Sequence, residues 1–367
     1  MAICSSAIGG MMITRRKFIL TPALLGAPAI MGSRTHGAGR GPIRVEIWHG
    51  LHHRIGHLGE GQDDFNLLGH VYSTHPLVAV TCVVNDGAAR NLRFKQFRRI
   101  VTDGDFNADI SISTLKVGEN RVAIQARDSE GNTASAKATI TRFSQGSTPF
   151  PCRIRWSQIK DPEEVGQYTD GKWRLTPQGL RTGQIGYDRV FLIGERYWQD
   201  YEVTASVTIH GLSKLNGPQS WTVRHAGFCL HWAGHSLEEN DPGEQPKWGL
   251  HPRGGIVWLT IRDGQLPPVR QFYPGDSEKW QTFKFFAIQL GRPFRMKGRC
   301  ETLTDDPGGA GVTRYSFKVW NQDQPEPERW DFQVTQTSHT ALRRGGLALV
   351  AHELDAEFGD LTIVGFN

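Results

Sequence analysis

The chain has 367 residues, 38% of them hydrophobic and 22% charged, with 42 glycines, 11 tryptophans and a mean hydropathy of -0.41. That length gives room for two domains with their own cores, and that composition excludes both a disordered chain and one buried in a membrane. The net charge of +5 falls to +2 when residues 1–30 are set aside, because they hold Arg15, Arg16 and Lys17 and no acid. The general basicity that marks a nucleic-acid binder is therefore missing.

Thr14-Arg15-Arg16-Lys17-Phe18-Ile19-Leu20, followed by the apolar TPALLGAPAIMG, resembles a twin-arginine export signal, with Ala27-Pro28-Ala29 as the cleavage site. The apolar run falls far short of the ~20 residues that a membrane span needs, so no span is expected in the mature protein. These residues divide the amino terminus into a signal peptide, 1–30, and a Gly-rich tether, 31–42, and predict a periplasmic or extracellular protein. The twin-arginine route carries folded proteins, and folding in a reducing cytosol argues against reliance on disulfides. Unpaired thiols are the expectation for Cys82, Cys152, Cys229 and Cys300, with a Cys229–Cys300 bridge left open.

From Ile43 to about residue 143 short alternating runs are separated by Asp/Gly/Asn turns. VAVTCVVN (78–85), FNADISI (106–112), NRVAIQARD (120–128) and TASAKATITR (133–142) read as strands of an antiparallel sandwich. The segment NRVAIQARDSEGNTASAKATITR resembles the last hairpin of bacterial immunoglobulin-like or cadherin-like repeats, which implies a spacer module without catalysis. One stretch departs from that pattern: His49, His52, His53 and His57 precede Asp63 and Asp64. The loop is open to three readings, a metal site, a contact with the next domain, or a solvated loop, and its irregular spacing argues against the first.

Residues 144–151, SQGSTPFP, form a linker by composition. Beyond it, Tyr201, Val203, Ala205, Val207 and Ile209 alternate with polar residues as in a half-buried strand, and no sustained helical period occurs. In GIVWLTIRD, Val257, Leu259 and Ile261 point one way, and Trp258, Thr260 and Arg262 the other. Trp198-Gln-Asp-Tyr201, Tyr315-Ser-Phe-Lys-Val-Trp320 and Gly345-Gly-Leu-Ala-Leu-Val-Ala-His352 with Phe358-Gly-Asp-Leu-Thr-Ile363 resemble the concanavalin A-like lectin/glucanase superfamily, closest to its laminin-G-like bacterial members. The predicted fold is thus all-β: an Ig-like sandwich over 43–143 followed by a concanavalin A-like jelly roll over 152–367.

The resemblance implies a ligand groove on the concave sheet that carries GFCLHW and GIVWLTIRD. It places His231, Trp258 and Arg262 on that face and Trp232, His235 and Trp248 on a rim, with Arg181 as a further ligand-binding candidate. Tryptophan offers a stacking plate for a sugar and arginine a planar fork for hydroxyls or carboxylates. The glucanase members use paired carboxylates on one strand, but the equivalent strand here has only Asp263 at its end, and nothing pairs Glu202 with Glu353. A lyase of acidic glycans needs a cation and a His or Tyr, which His231, His235, Arg262 and Tyr187 supply by residue type. The expected function is polysaccharide binding, with a polysaccharide lyase or an envelope structural component as alternatives. A structural calcium ion is common in such sandwiches, and Asp170 and Asp360 are the candidates to hold it.

Overall fold

The computed structural model describes residues 41–213, 223–236, 245–262, 266–275, 279–304, 311–338 and 341–366. The export segment and Asp263 lie outside the described residues. Turn chemistry sets the last hairpin of the first sandwich. Asp128 accepts hydrogen bonds from the backbone N–H of Glu130 and of Asn132 at 3.0 and 2.9 Å, and Gly131 takes a φ of +81°. This turn reverses the chain between two long alternating strands whose Val122, Ile124, Ala138 and Ile140 face the core.

Eight strands follow this logic: β1 (Ile43–Ile47), β2 (His52–Ile55), β3 (Asp64–Ser73), β4 (Leu77–Val84), β5 (Arg90–Asn91), β6 (Asp105–Ser111), β7 (Gly118–Asp128) and β8 (Thr133–Arg142). They form a three-stranded sheet, β1-β3-β6, and a five-stranded sheet, β2-β8-β7-β4-β5. All pairs are antiparallel except β2 with β8. Leu67, Val71, Phe106, Ala108 and Ile110 of the smaller sheet meet Val80, Cys82 and Ile124 of the larger.

The second part of the chain contributes β9 (Cys152–Ile154), β10 (Gln167–Asp170), β11 (Trp173–Leu175), β12 (Leu180–Thr182), β13 (Arg189–Ile193), β14 (Tyr201–Leu212), β15 (Val223–Trp232), β16 (Arg253–Arg262), β17 (Val269–Pro274), β18 (Gln281–Phe285), β19 (Phe294–Thr304), β20 (Gly311–Asn321), β21 (Phe332–Ser338), β22 (Gly346–His352) and β23 (Leu354–Gly365). A seven-stranded antiparallel sheet runs β10-β13-β22-β15-β16-β17-β18. An eight-stranded one runs β11-β12-β23-β14-β19-β20-β21, with β9 paired to β23. Val203, Ala205, Val207 and Ile209 from β14 pack against Phe228 and Leu230 of β15, Val257, Leu259 and Ile261 of β16, and Leu349 of β22. Each of these is at most 1% exposed, which is the inward half of the alternation read from the sequence.

The two sandwiches meet across a charged interface. Arg99, buried, donates from Nε to Asp170 Oδ2 at 2.9 Å, from one terminal nitrogen to Thr169 O at 2.5 Å, and from the other to Lys247 O. Arg189 approaches the second oxygen of Asp170 at 3.4 Å, and Lys247 reaches Asp64 at 2.6 Å. The histidine-rich loop belongs to this seam. His49 lies stacked on Tyr168 at 3.7 Å, His53 meets Glu163 at 2.6 Å, and His57 Nε2 donates to Glu163 O at 2.7 Å. Of its three readings, the contact with the next domain is the one the geometry shows. Trp48 and Leu68 of the first sandwich enter the main core of the second, and residues 41–367 form one compact unit.

A loop from residue 183 to 188 also crosses the seam. Gln184 Nε2 donates to Asp105 Oδ2 at 3.1 Å, and Gly186 presses so closely on Val101 that a Cβ would lie 2.2 Å from its Cγ2.

The four cysteines among the described residues are unpaired. Cys300 faces the space between the sheets and Cys229 the opposite side of the seven-stranded sheet, so the pairing left open does not form. Burial pushes the Cys229 thiol up to about 12.

Candidate functional site

The outer face of the seven-stranded sheet is where the sequence places a groove, and strand register lays out its side chains. His225 of β15 lies between His352 of β22 and Thr260 of β16, while Trp258 lies opposite Gly227 on one side and Gln271 of β17 on the other. Gly227 is required there, since a Cβ would sit 2.5 Å from Trp258 Cβ. The indole is thereby free to stack on His225, with ring centroids 3.8 Å apart and planes within 9°.

The polar groups of this row fix one another. Trp258 Nε1 and Thr260 Oγ1 both donate to Gln271 Oε1, at 3.0 and 2.8 Å. The only hydroxyl proton of Thr260 is committed, so its 3.0 Å contact with His225 Nδ1 has the imidazole as donor. Burial, with His352 and Arg262 nearby, holds His225 well below the usual imidazole range, and in that neutral ring the proton on Nδ1 leaves the lone pair on Nε2. His352 Nδ1 is 2.8 Å from Asp188 Oδ1, which orients that ring as well. Asp188 reaches it by adopting a φ of +43° just before β13.

Around this row the aromatic groups continue in both directions. Tyr187 meets His352 edge to face at 5.0 Å, and exposed Arg98 from the first sandwich lies over both Tyr187 and Trp248, at 5.5 and 4.1 Å. On the other side Tyr273 touches Trp258 at 6.2 Å and Trp280 at 5.6 Å, and exposed Arg262 lies over Trp280. The result is a band of aromatic and imidazole rings with a guanidinium toward each end.

Several expected site residues lie elsewhere. A β-bulge between Leu230 and Trp232, with His231 at a φ of +53°, reverses the alternation at the end of β15. His231 is consequently 0% exposed, its N–H donating to Tyr201 Oη at 3.1 Å, and burial pulls its imidazole down to about 3. Trp232 is turned onto the outer face, yet it is also fully buried, in a cluster with Cys229, Leu250 and Ile256. His235 packs edge-on against Trp232, with both ring nitrogens shut from solvent and its pKa well below the usual range through burial and the charge of Arg99. None of the three is open to a ligand.

Arg181 is on the other sheet, in a two-bond fork to Asp355 at 2.8 and 2.5 Å. Glu202 is tied to Arg299 and Lys297 on that same sheet, and Glu353 sits in the turn between β22 and β23, so these two do not pair across a groove. The calcium candidates are committed too. Asp170 is neutralised by two guanidiniums, and Asp360 Oδ1 accepts the N–H of Trp156 at 3.0 Å. Among the described residues no group of three His, Cys, Asp or Glu could hold a metal ion.

Of the expected residues the structure thus brings together Trp258, Arg262, Tyr187 and Trp248. It adds His225, His352, Asp188, Gln271 and Arg98, which sequence reading missed. His352 and His225 were legible as outward positions of their strands; Arg98 was not, because it comes from the other sandwich.

No family model matches the sequence, and no curated protein does. Solved structures with similar folds include the carbohydrate-binding module CBM66 of Bacillus subtilis, at 11% identity and TM-score 0.32, covering 55% of this chain and 96% of that one. The exoplasmic/lumenal domain of VIP36 in its Ca2+/Man3GlcNAc-bound form is similar at 13% identity and TM-score 0.35, covering 59% and 91%. A bifunctional GH43-CE protein of Bacteroides eggerthii is similar at 10% identity and TM-score 0.39, covering 84% of this chain and 40% of that one.

Proposed function

We propose that this is an exported, lectin-like protein that binds acidic glycans along the open part of the seven-stranded sheet. The observation that carries this reading is the band from Trp248 to Trp280, with exposed Arg98 and Arg262 over its rings. Half-buried aromatic faces suit the apolar faces of sugar rings, the partly exposed His352 imidazole suits their hydroxyls, and two guanidiniums favour uronate carboxylates over neutral chains. Export rests on the twin-arginine-like residues 14–20. The test is retention of the full chain on polyuronate gels against neutral glucan gels. Replacing Arg98 and Arg262 together by Ala should weaken polyuronate retention at least tenfold, with the thermal midpoint unchanged because both side chains are exposed. Equal retention on neutral and acidic gels, or retention indifferent to the two changes, overturns the reading.

A second reading, a lyase of the same acidic chains, is favoured by one arrangement. Asp188 orients the His352 imidazole, Tyr187 lies beside it, and Arg98, over the Tyr187 ring, is at hand for a carboxylate. His352 would then remove the proton next to the carboxylate and Tyr187 protonate the departing oxygen. Unsaturated product detected by ultraviolet absorbance, and abolished by His352→Ala while retention persists, decides for it; its absence with retention intact decides for the lectin.

A further inference from the structure

The first sandwich, expected to be a spacer, carries a cleft of about 290 Å³ where the end of β3 and the turn into β4 meet the loop from Phe94 to Gly104. That volume lies near the lower end of the ~300–1,000 Å³ typical of small-molecule sites, enough for one ring rather than a long chain. We propose that this cleft binds a single neutral pyranose unit, a glycan subsite distinct from the band on the second sandwich.

The cleft carries aromatic and polar groups side by side. Tyr72, 42% exposed, and Phe94 give it aromatic surface, the first held in place by the Arg44 guanidinium 3.9 Å from its ring centroid. His70, Lys95 and Asp103 give it donors and acceptors. Aromatic surface beside polar groups complements a ring that has C–H groups on its faces and hydroxyls on its edge.

Charge selects against an ion. Lys95 is paired with Asp103 at 3.0 Å, so the ammonium and the carboxylate that line the cleft offset each other. The geometry of the His70 imidazole is set from behind. Asp105 holds Nδ1 and is itself fixed by the Thr102 N–H at 3.0 Å and by Gln184 of the second sandwich at 3.1 Å. The other nitrogen, Nε2, lies beside Gly104 on the cleft, where a Cβ would come within 3.3 Å of it. A preset hydrogen-bonding group next to an aromatic plate is what a weak sugar subsite requires.

The test is saturation-transfer NMR of the full chain with the methyl pyranosides of glucose, galactose, mannose and xylose. Transfer to at least one glycoside is expected, falling at least fivefold in Tyr72→Ala and in His70→Ala and unchanged in the Arg98→Ala, Arg262→Ala double variant. Tyr72 is exposed, so its removal should leave the thermal midpoint in place, which guards against misfolding as the cause. No transfer to any of the four, or transfer that survives Tyr72→Ala, overturns the proposal. The acidic-glycan reading stands or falls separately, on polyuronate retention, which Tyr72→Ala should not alter.

Discussion

The outer face of the seven-stranded sheet has two halves built from the same strands with opposite fates. In one, Trp232 and Ile256 are buried in a cluster with Leu250 from the chain leading to β16, and Asp170 and Arg189 are buried against Arg99 of the first sandwich. In the other, His352, Tyr187, Tyr273 and Arg262 stay wholly or partly in contact with solvent. Both halves carry tryptophan, histidine and arginine, so residue type alone does not tell a binding surface from a seam. Cover decides it.

The largest effect should come from breaking the seam. Arg99→Ala leaves Asp170 and Asp109 buried without their nearest guanidinium and removes the bonds to Thr169 O and Lys247 O. Removing one partner of a buried ion pair costs ~3–5 kcal/mol, and urea unfolding should show a loss of about 5 here. A loss under ~1 kcal/mol would mean that the two sandwiches hold together without this contact.

Next comes the boundary between the halves. Trp258 is 4% exposed and Trp280 is 38% exposed. Trp258→Ala should therefore cost about 3 kcal/mol through the cavity it leaves, while Trp280→Ala should change stability by less than ~0.5 kcal/mol and still weaken polyuronate retention. Equal destabilisation by the two would erase the distinction between covered and open rings.

A finer probe is pH. Burial pushes the Asp170 carboxyl up to about 6, against the pull of Arg189 and Arg99, whereas an unfolded Asp titrates near ~3.9. The folded chain holds this proton more tightly, so its contribution to stability is fully present below about pH 4 and is lost as pH rises through about 6. Asp170→Asn should consequently gain on the wild type between about pH 4 and pH 7, by on the order of 2 kcal/mol. A difference between the two proteins that does not change with pH would show the carboxyl to be unperturbed.

What the sequence revealed follows from what strand periodicity can encode. Alternation assigns a face, and it placed Val203, Val257 and Leu259 inward and Trp258 and Arg262 outward in agreement with the structure. It carries no information on what lies against that face, so Trp232 and His235 read as a rim although the neighbouring layers cover them. It also fails at a bulge: one extra residue at His231 moved an expected ligand into the interior. Arg98 and Gln184 act across the seam between sandwiches, at sequence separations no local pattern spans.

The loop from residue 183 to 188 ties three places to one short piece of backbone. Gln184 steadies Asp105 behind His70, Gly186 is wedged against Val101, and Asp188 orients His352. Any displacement of this strap is felt by an imidazole on each sandwich at once. Thermodynamic linkage makes such a connection symmetric: if filling one site shifts the strap, the affinity of the other changes by the same factor as in the reverse order. The two surfaces are thus joined to one short strap, one through Gln184 and the other through Asp188.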